Sequence, residues 1–351
     1  MNIASIQTLI DSAYSKTEYP TCCYQMEKWS RTLPLKGLRV LDATPVFRNT
    51  LVKHKALLAA GAELYVGISD VMPRDHSIID LLQKSGIPIV HPHDKVEKID
   101  LVLDCAAAFC EWNPAIGFVE LTRSGTEKYR KVNKPVFIAD NGRIKRIETC
   151  LGTGESYFRA MKQLGYKDWK GRRIIVFGSG KVGTGIIMYA SKMGAEVVVV
   201  TDPATVTDPV QHWSTKIIDY KNSQAVTEAV QTAYAVVTAT GVAHALEGHC
   251  SPETFIHSPA LLANMGVEDE YGFSIPKDRV LMQKKTLNFI LDEPTHLKYI
   301  DATMALHNEG ALFLISHPEA TGLIEPPTEL EKELLDVCRT NGCIGDELDL
   351  I

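Results

Sequence analysis

The stretch from Arg172 to Asp202 constrains the chain most. It opens with Ile174-Ile175-Val176-Phe177, a short β-branched apolar run that ends at a glycine, as expected of a strand buried on both faces. Gly178-x-Gly180-x-x-Gly183 follows at once, and Val182, Ile186, Ile187, Ala190 and Met193 then recur at helical spacing. A second apolar run, Val197 to Val200, ends in Thr201-Asp202. Strand, glycine turn, helix, strand and an acid about twenty residues on form the context a dinucleotide fingerprint requires.

The residue types fit that chemistry. Gly178 permits the tight turn, Gly180 lets the backbone approach a pyrophosphate, and Gly183 lets the helix pack close to the strand. Ser179, Lys181 and Val182 lie where free N–H groups at a helix start face phosphates. Asp202, beside Thr201, can accept both ribose hydroxyls, and no arginine follows closely to hold a 2′-phosphate. The expected cofactor is therefore NAD rather than NADP.

The composition narrows the partners. A chain of 351 residues has room for two domains, and 45% hydrophobic with 23% charged residues is ordinary for a soluble globular protein. A net charge of −6 without a basic run points away from nucleic acid and anionic membranes. Neither a secretory leader nor a membrane span is expected, so the expected location is the cytoplasm. The eight cysteines form no CxxC pair and no zinc-spaced cluster with histidine, so free thiols and no metal site are expected. His91 and His93 flank Pro92 and fit metal spacing poorly; His54, in a charged helical stretch, is expected at the surface.

Along the chain, residues 1 to 35 read as one helix and a polar, aromatic stretch from Tyr14 to Trp29. Strand candidates then run Leu38–Leu41, Glu63–Ile68, Ile87–His91, Leu101–Ala106, Gly117–Leu121 and Pro135–Ala139, with helices at Leu51–Ala60 and His76–Lys84. This βαβ alternation implies an α/β fold with a mostly parallel, doubly wound sheet. No glycine fingerprint follows any of these strands, so residues 1–150 read as a substrate or catalytic domain. Gly152 to Ser156 reads as a turn leading into a helix from Tyr157 to Leu164. The Rossmann domain, 151–295, continues with strands Lys216–Ile218, Ala235–Thr238, Ala260–Asn264 and Leu287–Leu291. Helical character returns from Pro294, and Glu329 to Cys338 reads as a closing helix.

The order of these pieces resembles the adenosylhomocysteinase (S-adenosylhomocysteine hydrolase) family from Leu35 onward. Pro34-Leu35-Lys36-Gly37-Leu38-Arg39-Val40, Gly117 to Gly125, Gly152-Thr153-Gly154-Glu155-Ser156, Gly178 to Gly185 and Asn264-Met265-Gly266 are similar to family segments in collinear order. The resemblance implies a Rossmann domain inserted into the substrate domain, with residues 296–351 returning to complete the latter. It also implies cofactor contacts from Thr122, Thr149, Thr240, Gly241 and Asn264.

The departures fall at the family's chemistry. Asp42-Ala43-Thr44-Pro45-Val46-Phe47 lacks the family's histidine and threonine, and Asp104-Cys105 replaces an Asp-Asp pair. Glu120-Leu121-Thr122-Arg123-Ser124 stands for Glu-Glu-Thr-Thr-Thr, and Ile144 to Thr149 for Lys-x-x-x-Asp-Asn, with Lys145 displaced by one and Glu148 for the aspartate. Val267 takes the place of a histidine. Glu120, Lys145, Glu148 and His307 are the expected catalytic residues, with Arg123 as a further polar candidate. Asp301 is a candidate to orient His307 or simply to solvate its helix. The expected function is an NAD-dependent oxidoreductase or redox-lyase acting on a small or nucleoside-like metabolite. The alternatives are a true adenosylhomocysteine hydrolase and an inactive NAD-binding regulator. A homodimer is expected, because the tail with which the family reaches a neighbouring protomer is absent after Ile351.

Overall fold

The computed structural model describes residues 3–70 and 72–351. The chain divides into two compact units, residues 1–147 with 296–349, and residues 148–295 with 350–351. In the first unit α1 (Ala4–Ala13) and α2 (Pro20–Thr32) precede β1 (Arg39–Asp42), α3 (Thr50–Ala59), β2 (Glu63–Gly67), α4 (His76–Lys84), β3 (Ile89–Val90) and β4 (Leu101–Asp104). There follow β5 (Gly117–Glu120), α5 (Arg123–Tyr129), β6 (Val136–Ile138) and α6 (Gly142–Arg146). The second unit holds α7 (Thr153–Gln163), β7 (Arg173–Phe177), α8 (Lys181–Lys192), β8 (Glu196–Thr201) and α9 (Asp208–Trp213). It continues with β9 (Lys216–Asp219), α10 (Ser223–Gln231), β10 (Ala235–Thr238), α11 (Pro252–Ile256) and β11 (Leu261–Asn264). The chain then returns to the first unit with α12 (Leu297–Ser316), β12 (Leu323–Ile324) and α13 (Thr328–Asn341).

Both sheets are parallel and doubly wound. The first has seven strands in the order β12-β6-β5-β4-β1-β2-β3, and the second has five in the order β11-β10-β7-β8-β9. Strand order reverses between β1 and β4 in one and between β7 and β10 in the other. Crevices for ligands open at such points, beyond the strands' carboxyl ends. The central strands bury both faces, as Ile174 to Phe177 and Val197 to Val200 do. Helix α12 is buried nearly all round, from Leu297 to Leu314. It seats tightly because Gly310 lies where a Cβ would stand 2.6 Å from Val119 and 2.7 Å from Phe137.

Four local expectations change. Leu287–Ile290 is a 3-10 turn, not a strand: a short apolar run serves a buried turn equally well, and Asn288 Nδ2 donates to Ser156 Oγ at 3.1 Å. Gly152 to Ser156 is not a turn but a π-helical turn running into α7. Its glycines serve close packing, since a Cβ on Gly154 would lie 2.5 Å from the Gly185 backbone of α8. The stretch from Tyr14 to Trp29 contains α2, which begins at Pro20 in the first helical position and ends at the left-handed Leu33. Finally, β12 pairs with β6 although residues 323–324 carry no strand signal of their own.

Candidate functional site

In the second unit the fingerprint forms the turn its glycines require. Gly178 adopts φ +96°, and a Cβ there would stand 2.5 Å from the Ala239 carbonyl. A Cβ on Gly183 would collide with the Gly178 carbonyl. Gly180 differs: nothing lies within 4 Å of its missing Cβ, so the backbone faces open space at the first turn of α8. That is a cradle for a pyrophosphate, with Ser179, Lys181 and Val182 around it and helix N–H groups pointing outward.

The neighbouring strand ends add polar groups. Thr201 and Ser179 share a hydroxyl hydrogen bond of 2.8 Å, fixing the ends of β7 and β8 to each other. Asp202 caps the next turn, its Oδ1 accepting from Ala204 N at 3.0 Å, and remains partly exposed. Across the switch point, Thr240 and Gly241 follow β10. The donor set and the open backbone fit a dinucleotide.

Asn264 does different work. Its Oδ1 accepts from Thr238 Oγ1 at 2.9 Å and Gly266 N at 3.1 Å. Its Nδ2 donates to the Glu268 and Lys284 carbonyls, each at 2.8 Å. Fully buried and committed on both sides, the amide shapes the loop after β11 rather than reaching a cofactor.

In the first unit the carboxyl ends of β4, β5 and β6 gather most of the expected catalytic residues. Glu120 is fully buried, and its carboxylate accepts from Ala106 N and Ala107 N, each at 3.0 Å, and Thr122 N at 2.7 Å. Thr122 Oγ1 donates to it at 2.6 Å and accepts from Ala106 N at 3.0 Å. Ala106 and Ala107 lie at φ +59° and +52°, a left-handed pair that costs a β-carbon residue roughly 1 kcal/mol or more each. Glu120 and Thr122 therefore hold a strained loop. Neither the expected base nor the expected cofactor contact is available as such.

Asp104 completes this arrangement, accepting from Cys105 N at 2.8 Å, Phe109 N at 2.9 Å and Tyr129 Oη at 2.6 Å. Burial, and then the nearby Glu120 charge, pushes the Asp104 carboxyl up; burial likewise raises Glu120. Arg123 lies exposed at the start of α5.

Lys145 and its surroundings are better placed for chemistry. Gly142, at φ +90°, turns the chain from β6 into α6, whose inner face carries Ile144 and Lys145. Lys145 is buried, donates to the Leu121 carbonyl at 3.0 Å and lies 3.9 Å from Asp140 Oδ1. A lysine paired with an acid at the carboxyl ends of β5 and β6 is an arrangement that can hold and pass a proton. Asp140 is not among the residues expected from sequence; its only signal there is its place before Asn141-Gly142. Glu148 and Thr149 lie in the π-helical turn, both half-buried, in the second unit.

His307 is fully buried and its Nε2 contacts the Val119 carbonyl at 3.0 Å, the geometry of an Nε2–H donor. Burial, helped by the Lys53 charge, pushes it down to about 3, so it is neutral and internal rather than an acid/base at a surface. Asp301 neither orients it nor solvates the helix: it accepts from Thr21 N at 2.8 Å, Cys22 N at 3.1 Å and the Thr21 hydroxyl. His54, expected at the surface, is fully buried with Nε2 3.1 Å from Asp42 Oδ2. His91 and His93 are exposed, and no group of metal-ligating side chains forms among the described residues.

A family model described as "Putative NAD(P)-binding" matches residues 166–252. An adenosylhomocysteinase from Thermoplasma acidophilum is 23% identical over 260 residues, 66% of this chain and 62% of that protein. An S-inosyl-L-homocysteine hydrolase from Methanosarcina acetivorans is 25% identical over 297 residues, 74% of this chain and 70% of that protein. The chain is a divergent member of the adenosylhomocysteinase-like family. It spans roughly two thirds of the length of these relatives. The fold is also similar to that of a dipicolinate synthase from Bacillus halodurans, with a TM-score of 0.51 and 11% identity over 79% of this chain and 98% of that one. Within this adenosylhomocysteinase-like chain the second unit is an NAD(P)-binding Rossmann domain, and NAD is the cofactor. No helix among the described residues is long and apolar enough to cross a membrane.

Proposed function

We propose that this protein is an NAD-dependent oxidoreductase or redox-lyase acting on a small or nucleoside-like metabolite. The observation that carries the reading is the intact glycine turn of one unit combined with a buried Lys145–Asp140 pair in the other. A bound nicotinamide supplies hydride acceptance and return. The chain's own part is then to hold the dinucleotide on Gly178 to Gly183, to accept ribose hydroxyls at Asp202, and to keep a proton at Lys145 Nζ beside Asp140. Glu148, near Lys145 in sequence, is the second acid to test, whereas Glu120 and His307 support the scaffold.

Hydrolysis of adenosylhomocysteine or S-inosylhomocysteine is the competing reading, favoured by the names of the two relatives. Against it stand Pro45, Phe47, Cys105, Ile144 and Val267 at positions where the resemblance requires other side chains. A positioned acid or base commonly contributes about 10²- to 10⁴-fold, so such losses are not silent. The test offers NAD with nucleosides, their thioethers and small secondary alcohols, and follows absorbance of the reduced nicotinamide and release of free thiol. Reduction without thiol release supports the oxidoreductase, and thiol release from adenosylhomocysteine supports the hydrolase. NAD binding without turnover on any of them favours a regulatory role and overturns the proposal. The same reading takes the protein as a homodimer, which a monomer in light scattering at micromolar concentration would contradict.

A further inference from the structure

Glu270 is a fully buried carboxylate that neither the fingerprint nor the proposed chemistry uses. It lies in the second unit, in the loop after β11, yet both of its oxygens serve the loop after β10. Oε2 accepts from Thr240 N at 2.8 Å and Oε1 from Gly241 N at 2.7 Å. Burial pushes its carboxyl up, and the two backbone donors pull it back. Such charge-assisted bonds are about twice as strong as neutral ones.

The loop it grips is the far wall of the switch-point crevice. The missing Cβ of Gly178 would stand 2.5 Å from the Ala239 carbonyl and 2.9 Å from Thr240 Cα, so the glycine turn and this loop pack backbone to backbone. Gly241 adopts φ +72°, and nothing lies within 4 Å of its missing Cβ, so the loop's outer side faces open space. Glu270 can reach these amides only because Gly266 has no side chain: a Cβ there would strike the Glu270 carboxylate. Asn264 and Thr286 anchor the same segment, Thr286 Oγ1 donating to the Gly266 carbonyl at 2.7 Å.

We propose that Glu270 is a positioning residue for the dinucleotide, holding Thr240–Gly241 in the shape that receives the half of the cofactor beyond the pyrophosphate. A dinucleotide lies across the switch point, one mononucleotide on each set of strands, with the first half on the β7–α8–β8 side. Glu270 therefore acts on the half that AMP lacks. The inference rests on the cofactor assignment.

The test titrates the full chain and its Glu270→Ala and Glu270→Gln variants calorimetrically with NAD and, separately, with AMP. Glu270→Ala is expected to weaken NAD binding about tenfold or more, the loss of at least one charge-assisted bond's worth of order, while AMP binding changes less than about twofold. Glu270→Gln retains one acceptor and is expected to fall between. Equal losses for NAD and AMP, or no loss for NAD, would overturn the proposal. If Glu270→Ala does not fold, Glu270→Gln decides alone: an NAD-selective loss supports the proposal, and an unchanged or unselective affinity overturns it. An unmutated chain that binds neither ligand overturns the cofactor assignment itself, and this proposal with it.

Discussion

Lys53 Nζ lies 2.8 Å from Asp42 Oδ2, and neither side chain is exposed at all. His54 approaches the same oxygen at 3.1 Å, while Thr44 N and Oγ1 meet Asp42 Oδ1 at 3.2 and 2.9 Å. Burial alone would raise the Asp42 carboxyl, but Lys53 and His54 outweigh it and hold the group far below the usual carboxylate range. Removing one partner leaves the other charge buried and uncompensated. Lys53→Met is expected to cost about 3–5 kcal/mol, and adding Asp42→Asn should recover much of it. Urea unfolding of the two single variants and the double variant checks this; additive losses would show that the two groups do not act as a pair.

His307 makes stability depend on pH. Its folded value is depressed to about 3, below the ordinary value of 6.5. The unfolded chain therefore binds a proton that the folded chain refuses. The contribution of His307 is complete above about 6.5 and is lost as pH falls toward 3, with a slope of roughly 1.4 kcal/mol per pH unit. His307→Gln should flatten the unfolding free energy over that window. An unchanged profile in denaturant titrations at about pH 6.5, 5.5 and 4.5 would refute the assignment.

Gly180 and Gly183 separate folding from binding. Gly180→Ala meets open space at φ −71°, so stability should change by less than about 0.5 kcal/mol while NAD affinity falls. Gly183→Ala drives a methyl into the Gly178 carbonyl and should lower the thermal midpoint as well. Thermal melts with and without NAD distinguish the two. A Gly180→Ala protein stabilised by NAD as strongly as the unmutated chain would argue against phosphate approach at this glycine.

Asp301 ties the two ends of the first unit together. Its carboxylate caps α2 through Thr21 and Cys22, 280 and 279 residues away in sequence. Asp301→Ala should cost about 1–3 kcal/mol by leaving buried N–H groups without an acceptor. Hydrogen exchange at Thr21 and Cys22 should accelerate in step; unchanged protection would mean that solvent or another group replaces the cap.

Legibility in the sequence follows range. The glycine turn, Thr201-Asp202 and the alternation of strands are local signals, and both parallel sheets follow from them. Features that depend on distant partners leave no such trace. The start of α2 is capped by Asp301, His54 is drawn inside by Asp42, and β12 exists only because β6 offers an edge. The catalytic candidates divide for the same reason. Glu120 reads as a base because a carboxylate stands near the family position, but the strained Ala106–Ala107 loop and Thr122 engage both of its oxygens. Asp140 escapes a reading of the sequence because nothing there links it to Lys145, five residues on, across the Gly142 turn.

The central claim is that the second unit is built for NAD. Calorimetric titration of the chain with NAD and with NADP tests it most directly, with Asp202→Ala measured alongside. The account predicts tighter binding of NAD than of NADP, and a loss of about 1–3 kcal/mol for NAD when the Asp202 carboxylate is removed. Equal or tighter binding of NADP by the unmutated chain, or no binding of either, would contradict it.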